Sequence, residues 1–194
     1  MTTRVREDNK TALTVAGVPE GLDALVLAQL VGEAAAEKAP GTLLHVARDD
    51  RRVEALEQGL SFFAPQVRVI SFPAWDTVPY DRVGPTADIV ARRMAALAKL
   101  ALAAHKHPTV VLTTVNAILQ RIPSRAFIKQ TTKAMAPGQR VDMARLTQRL
   151  ARMGYTRSGT VMEPGEYAVR GGILDLYPPG RSSPVRLDFF CDTL

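Results

Sequence analysis

The chain has 194 residues, enough for one sizeable domain or two small ones, and its 46% hydrophobic content is ample for a core. The net charge of +6 is thinly spread, since residues 1–131 hold 16 Lys/Arg against 13 Asp/Glu and residues 132–194 hold 9 against 6. Neither part has the dense basic run of a dedicated nucleic-acid arm. Electrostatic attraction to DNA therefore stays open, whereas a sequence-specific DNA reader is not indicated.

Cysteine content and hydropathy bear on the compartment. Cys191 is the single cysteine, which excludes an intrachain disulfide and favours a reducing environment. The first ten residues lack the apolar core of a secretory signal, and no apolar run approaches the roughly 20 residues that span a bilayer. We therefore expect a soluble, cytoplasmic protein with no membrane partner. The three histidines lack cysteine or carboxylate partners at ligand spacing, so we expect no metal.

Strands and helices alternate along the first two thirds of the sequence. Apolar runs and turn residues predict strands at 11–16, 42–47, 67–71 and 109–113, and helices at 22–37 and 49–63. Such alternation with short connections predicts an α/β fold, with a parallel sheet and helices on both of its faces.

An irregular loop with four prolines, residues 72–85, interrupts this alternation. We expect Trp75 and Tyr80 to pin the loop to the core, the alternative being an exposed stack for a ligand. Thr86 is a predicted cap for a long helix that follows. The predicted inner stripe of this helix is Val90, Met94, Leu97 and Ala101, and Arg92 and Arg93 beside the stripe are predicted to be solvated.

The pattern changes near residue 130, which divides the chain into predicted domains 1–130 and 131–194. A helix over 142–153 is followed by three short strands, predicted at 166–170, 173–177 and 185–190. A helix followed by a meander predicts a small α+β domain with an antiparallel sheet, distinct from the α/β layer before it.

The last predicted strand has two unlike faces. Val185, Leu187 and Phe189 share one face because strand side chains alternate, which leaves Arg186, Asp188 and Phe190 on the other. An aromatic side chain beside arginine on a sheet is typical of a protein-binding surface. The alternatives are that each outward arginine is simply solvated, and that a neighbouring element buries Phe190.

A strand, turn and helix at residues 12–34 occupy the place where a doubly wound fold binds phosphates. A Walker A loop needs closely spaced glycines, a lysine and a Ser/Thr hydroxyl. Here the loop contains Gly17 and Gly21 but ends in Leu22 and Asp23, which supply neither the charge nor the hydroxyl. We therefore predict no ATP hydrolysis, no cofactor and no catalytic residues.

Together these segments resemble the N-terminal, UvrB-like region of the bacterial transcription-repair coupling factors (Mfd). The matching pieces are FPAWDTVPYD at 72–81, VLTTVNAILQRIP at 111–123, GEYAVRGGILDLYPPG at 165–180 and PVRLDFF at 184–190. They occur in the family's order and cover most of the chain from residue 11 onward.

The resemblance implies a degenerate P-loop-type, UvrB-like first domain, in which the nucleotide loop has decayed, and a second domain that binds UvrA. By motif, the family's contact residues fall on Arg170, Arg186 and Phe190. The resemblance further implies that the chain is a fragment of a longer ATP-driven DNA translocase that engages RNA polymerase and double-stranded DNA.

The function that follows is a non-catalytic recruitment module for nucleotide excision repair. Two alternatives remain: a UvrB-like ATPase or helicase half-domain, and a non-specific DNA-binding module that relies on positive charge.

Overall fold

The computed structural model describes residues 4–7, 13–36, 41–78, 80–102, 107–191 and 193–194. Two compact units make up the chain. The first comprises Met1–Ser71 with Ala104–Val115, and the second comprises Phe72–Ala103 with Asn116–Leu194. These units are groupings in space, so the predicted domains 1–130 and 131–194 stay a prediction.

A parallel three-stranded sheet with strand order β3-β5-β4 organises the first unit. Residues Thr42 to Ala47 of β3 pair in register with Thr109 to Thr114 of β5, and all six residues of β5 are buried. A short antiparallel pair, β1 and β2, forms a separate sheet. The elements are β1 (Arg4–Glu7), β2 (Leu13–Ala16), α1 (Asp23–Ala36), β3 (Thr42–Ala47), α2 (Asp50–Phe63), β4 (Arg68–Phe72) and β5 (Thr109–Thr114).

Helices α1 and α2 pack together with this sheet in one hydrophobic core. The members of this core that are fully buried include Val31 of α1, Leu56 and Leu60 of α2, and Val110 and Leu112 of β5. Gly59 of α2 lies so close to α1 that an added Cβ would come within 2.7 Å of the Ala24 side chain. The predicted α/β fold with a parallel sheet is therefore confirmed.

Further helices and a second sheet follow. Helix α4 begins at the last residue of the first unit, and the remaining elements belong to the second. They are α3 (Ala87–Leu102), α4 (Val115–Ile118), α5 (Arg125–Thr131), α6 (Met143–Arg152), β6 (Thr156–Arg157), β7 (Glu166–Arg170), β8 (Ile173–Leu176) and β9 (Val185–Asp188).

The prediction that Arg93 is solvated is wrong. Its side chain is only 1% exposed, and its guanidinium lies 4.3 Å from the ring centre of Phe72 and 4.1 Å from that of Trp75. One terminal nitrogen donates to the Pro73 carbonyl at 2.6 Å and to Gln120 Oε1 at 2.9 Å. Burial lowers the pKa of this guanidinium. Arg93 thus replaces an apolar residue on the inner face of α3, because the aromatic rings and two acceptors compensate for its desolvation.

Two further expectations for this segment need correction. Tyr80 is fully exposed and adopts a positive φ of 72°, so Tyr80 does not pin the loop to the core, whereas Trp75 is half-buried against Arg93. Val90 is 37% exposed and lies outside the buried stripe of α3. The Thr86 carbonyl accepts from the Val90 amide as expected for a cap, but the Thr86 hydroxyl donates to Asp76.

Helix α6 and a four-stranded sheet form the last part of the second unit. The sheet has the order β6-β7-β8-β9, and the buried residues Leu146 and Leu150 of α6 pack with its inner face. Pairs β7–β8 and β8–β9 are antiparallel, as predicted. Strand β6 was not predicted and pairs in parallel with β7, so the sheet is mixed and not purely antiparallel.

Strand β6 has only two residues, too few for an alternation pattern to reveal it from sequence. Among the described residues, no helix is long and apolar enough to cross a membrane. In the same part of the chain, no three His, Cys, Asp or Glu side chains come together as a metal site.

Candidate functional site

Strands β7, β8 and β9 turn one row of polar side chains away from the core. Leu174, Leu176 and Leu187 point inward and are buried, so the alternate positions point outward. We define the outer sheet face by its charged residues and by the aromatic residue that follows β9. These residues are Arg170, Asp175, Arg186, Asp188 and Phe190.

The strongest contact on the outer sheet face joins Arg186 to Asp175. The two residues are directly paired across β8 and β9, and Arg186 donates from Nε to Oδ1 at 2.7 Å and from a terminal nitrogen to Oδ2 at 2.9 Å. The hydrogen bonds lower the pKa of the Asp175 carboxyl and raise the pKa of Arg186. This bidentate pair fixes the direction of the guanidinium, whose other terminal nitrogen makes no hydrogen bond to the residues that the structure describes and can donate to an external acceptor.

Arg170 lies at the end of β7, and one of its terminal nitrogens donates to the Gly159 carbonyl at 2.6 Å. Arg170, Asp175 and Arg186 together line a groove of about 370 Å³, whose remaining wall comes from Thr160, Val161, Pro184 and Val185. Each arginine is thus held at one end by an acceptor of the chain itself. Both guanidinium groups are hydrogen-bond donors at this groove, which is the chemistry that recognises a carboxylate or a carbonyl oxygen.

Phe190 is 86% exposed, while the preceding Phe189 is only 7% exposed and belongs to the core. A tight turn fixes this arrangement, because the amides of Phe190 and Thr193 each donate to the other's carbonyl. Cys191 within the turn has a positive φ of 55°. The exposure of Arg186, Asp188 and Phe190 agrees with the alternation predicted from the sequence.

Gly172 packs closely against the backbone of Phe189, the residue that precedes Phe190. The Phe189 amide donates to the Gly172 carbonyl at 2.8 Å, and a Cβ on Gly172 would come within 2.8 Å of the Phe189 carbonyl oxygen. Only glycine fits this distance without a shift of the backbone. The turn between β7 and β8, formed by Gly171 and Gly172, therefore helps to position the segment that carries Phe190.

The predicted nucleotide loop has an internal anion where a phosphate would bind. Asp23 is the first residue of α1, accepts from the Ala24 amide at 3.1 Å and forms an ion pair with Arg52. Gly17 and Gly21 both adopt positive φ, the left-handed conformation that glycine tolerates, in the turn before the helix.

The surroundings of this helix start also differ from those of a nucleotide site. Leu22 begins the helical hydrogen bonding, since its carbonyl accepts from Val26. A terminal nitrogen of Arg52 also lies 3.7 Å from Glu20 Oε1. Burial lowers the pKa of His45; the charge of Asp23 opposes this shift, and the charge of Arg52 adds to it. The carboxylate of Asp23 thus supplies the negative charge that the helix start favours.

Sequence reasoning missed the Asp175–Arg186 pair and the burial of Arg93. The first had a detectable signal, because two opposite charges at outward positions of adjacent antiparallel strands pair once the register is known. The burial of Arg93 had no signal beyond its place beside an apolar stripe, since the aromatic residues that cover it come from the end of β4 and from the loop after it.

Comparisons with known proteins bear on both parts of the chain. Residues 134–194 match the UvrB interaction domain, a range that includes α6, the four-stranded sheet and the three predicted contact residues. The chain is 36% identical over 171 residues to the transcription-repair-coupling factor of Escherichia coli K12 and 39% identical over 177 residues to that of Myxococcus xanthus. It is 34% identical over 176 residues to that of Mycobacterium tuberculosis.

The resemblance to the transcription-repair coupling factors is confirmed. The similar region covers 85–87% of this chain in the three comparisons. The chain spans only 13–14% of the length of these coupling factors. What the longer proteins do as a whole is therefore a proposal for this chain.

Proposed function

We propose that this chain is a non-catalytic recruitment module of a transcription-repair coupling factor, which binds UvrA and so brings nucleotide excision repair to stalled RNA polymerase. The observation that carries the proposal is the match of residues 134–194 to the UvrB interaction domain. The coupling-factor relatives along most of the chain support the same role.

Three residues of the outer sheet face are the proposed contacts. Arg170 and Arg186 donate charge-assisted hydrogen bonds to carboxylates or carbonyls of UvrA, and Phe190 enters an apolar pocket. All three are exposed, and the two arginine side chains are held by hydrogen bonds to the Gly159 carbonyl and to Asp175. Side chains that are already ordered lose less entropy on binding, which favours affinity.

Titration of UvrA with this chain tests the proposal. We expect Arg170→Ala, Arg186→Ala and Phe190→Ala each to weaken binding roughly tenfold or more, as truncation of an interface anchor does. Arg157→Ala and Tyr80→Ala are matched controls, since these residues are exposed and lie outside the outer sheet face. Unchanged affinity in all three outer-face variants would refute the assignment.

We further propose that the first domain neither binds nor hydrolyses ATP. The Asp23–Arg52 pair at the start of α1 supports this, because a phosphate there would meet a carboxylate. Calorimetric titration with ATP and magnesium is expected to show no binding by the 194-residue chain. Measurable ATP turnover would instead favour the UvrB-like half-domain.

The wider assignments concern the intact coupling factor. We propose that it acts in the cytoplasm as an ATP-dependent DNA translocase that engages RNA polymerase and double-stranded DNA. Pull-downs with UvrA and with RNA polymerase distinguish the partners of this chain from those of the intact protein. The 194-residue chain is expected to retain UvrA and not polymerase.

A further inference from the structure

Positive charge is concentrated in one segment of the chain. Residues 89–162 hold 13 of the 25 Lys/Arg and only one of the 19 Asp/Glu, namely Asp142. A division of the chain into residues 1–131 and 132–194 cuts through this segment, so the charge is spread thinly between those two parts. The rest of the chain is correspondingly acidic, so the net charge of +6 hides a strong separation of sign.

Helix α6 displays part of this charge in a regular row. Arg145, Arg149 and Arg152 follow the spacing i, i+4, i+7, so they share one helix face, which lies beside the face of the buried Leu146 and Leu150. At a rise of about 1.5 Å per residue, the row is roughly 10 Å long.

Helix α5 adds further positive charge beside this row. A terminal nitrogen of Arg149 donates to the Gln130 carbonyl of α5 at 2.6 Å, which joins the two helices at this point. Lys129 precedes Gln130 and is exposed, as is Lys133 just after the helix. We define the α5–α6 basic surface by Lys129, Lys133, Arg145, Arg149 and Arg152.

Little of this charge is neutralised by the protein itself. Arg145 lies 3.4 Å from Asp142, within the same turn of chain. The other four members of the surface have no ion pair with any residue that the structure describes. A row of unpaired cations attracts a polyanion, and added salt weakens this attraction.

The chemistry of the α5–α6 basic surface differs from that of the outer sheet face. The outer face mixes both signs and carries an exposed phenylalanine, as protein interfaces do. The five residues that define the α5–α6 basic surface are all cations, and Asp142 beside Arg145 is the one acidic residue paired with them in the described structure. The apolar side of α6 is already buried against the sheet, which excludes insertion into a lipid layer. Uniform positive charge matches the uniform negative charge of a nucleic-acid backbone.

We propose that the α5–α6 basic surface binds the phosphate backbone of duplex DNA without sequence specificity. Helix α6 covers the inner face of the four-stranded sheet, whereas Arg170 and Arg186 lie on its outer face. The two surfaces therefore leave room for both partners at once. The proposal does not depend on UvrA binding.

Fluorescence anisotropy with a labelled duplex of random sequence tests the proposal on the 194-residue chain. We expect the logarithm of the association constant to fall linearly with the logarithm of salt concentration, with a slope near −0.9 per contacted phosphate. The quadruple variant Lys129→Gln, Lys133→Gln, Arg145→Gln and Arg152→Gln is expected to bind at least about tenfold more weakly, with a slope shallower by roughly 3. Arg149 is kept because it joins the two helices.

A charge-matched control separates the surface from net charge. The variant Arg48→Gln, Arg51→Gln, Arg68→Gln and Arg82→Gln loses the same four charges at exposed positions elsewhere. It is expected to keep a slope within about 1 of the unmodified chain. Circular dichroism confirms that both variants are folded.

Three outcomes overturn the proposal. Equal losses in the two quadruple variants mean that net charge alone acts. Binding that does not respond to salt, or none that is measurable at about 50 mM salt, excludes backbone contacts. Loss of UvrA affinity with unchanged DNA affinity assigns the surface to a protein partner.

Discussion

Arg93 shows how a single side chain can reverse the expectation of its sequence. The other buried residues of α3 are alanines and a leucine, yet the Arg93 guanidinium is buried against two aromatic rings and donates to a backbone carbonyl and a side-chain amide. Within the described residues its Nε has no hydrogen-bond partner, so the stacking compensates for an incomplete set of bonds. The residue ties the segment after β4 to α3.

Replacing Arg93 is therefore expected to destabilise the protein. Arg93→Ala removes two stacking contacts and two charge-assisted hydrogen bonds, and we expect the free energy of unfolding to fall by about 3 kcal/mol. Arg93→Lys is not expected to rescue stability, because an ammonium cannot stack between the rings as a planar guanidinium does. Urea denaturation measures both, and Arg92→Ala, at an exposed neighbouring position, is the control.

Asp175 is the residue on which the direction of Arg186 depends. Its carboxyl pKa is lowered, first by the hydrogen bonds from Arg186. Because the folded pKa lies below the unfolded one, the pair stabilises the protein above the unfolded value near about 3.9 and is lost as pH falls through the folded pKa. The pair is therefore intact at neutral pH, where UvrA binding is proposed.

A carboxyl titration followed by NMR tests this coupling. We expect the pKa of Asp175 to lie below about 3.9 in the unmodified chain and to return toward that value in Arg186→Ala. Asp188→Asn is the control, since Asp188 shares the outer sheet face but accepts no hydrogen bond from Arg186, whose described bonds go to Asp175. An unchanged pKa in Arg186→Ala would contradict the assigned cause.

At the scale of elements, the turn between β7 and β8 links the sheet to the proposed contact surface. Gly171 has a positive φ of 60°, and Gly172 approaches the Phe189 backbone too closely for any side chain. The turn thus has two roles. It reverses the chain between β7 and β8, and its lack of side chains leaves space for the segment that carries Phe190. A second feature at this scale is the start of α1, where the Asp23 carboxylate provides a negative charge that belongs to the chain itself.

Gly172→Ala is expected to affect stability and partner binding together. The added methyl group forces the Phe189 backbone to move, which we expect to cost about 2 kcal/mol of stability and to weaken UvrA binding through displacement of Phe190. Gly84→Ala is a matched control, because nothing lies within 4 Å of a Cβ there, its φ is not positive and it lies outside the outer sheet face. Thermal unfolding and UvrA titration measure the two effects, and a Gly172→Ala protein as stable as the control would contradict the steric argument.

At the scale of the whole molecule, the second unit offers two surfaces of different chemistry on opposite faces of one sheet. The outer sheet face has paired charges of both signs and an exposed aromatic ring, whereas the α5–α6 basic surface has cations that are mostly unpaired. A sheet buries one face under a helix and leaves the other available. One small domain can therefore serve two partners.

Crossing the variants tests this separation. We expect Arg186→Ala to leave DNA affinity within about threefold of the unmodified chain, a change below 1 kcal/mol. The quadruple variant of the α5–α6 basic surface is likewise expected to keep its UvrA affinity. Anisotropy and UvrA titration provide the two readouts, and coupled losses in both would show that the surfaces are not independent.

The sequence by itself determined the α/β layer, the outward alternation of Arg186, Asp188 and Phe190, and the absence of a Walker A lysine. These features depend on local periodicity and residue chemistry, which one chain segment carries alone. The resemblance to the coupling factors also came from contiguous motifs, such as GEYAVRGGILDLYPPG.

Only the tertiary structure decided the burial of Arg93, the exposure of Tyr80, the parallel strand β6 and the pairing of Asp175 with Arg186. Each of these depends on groups that are distant in sequence, such as Pro73 and Arg93, which are 20 positions apart, or Asp175 and Arg186, which are 11 positions apart. Periodicity reports which face of an element is apolar. It does not report which partner covers that face, and the partner decides whether a charge is solvated, stacked or paired.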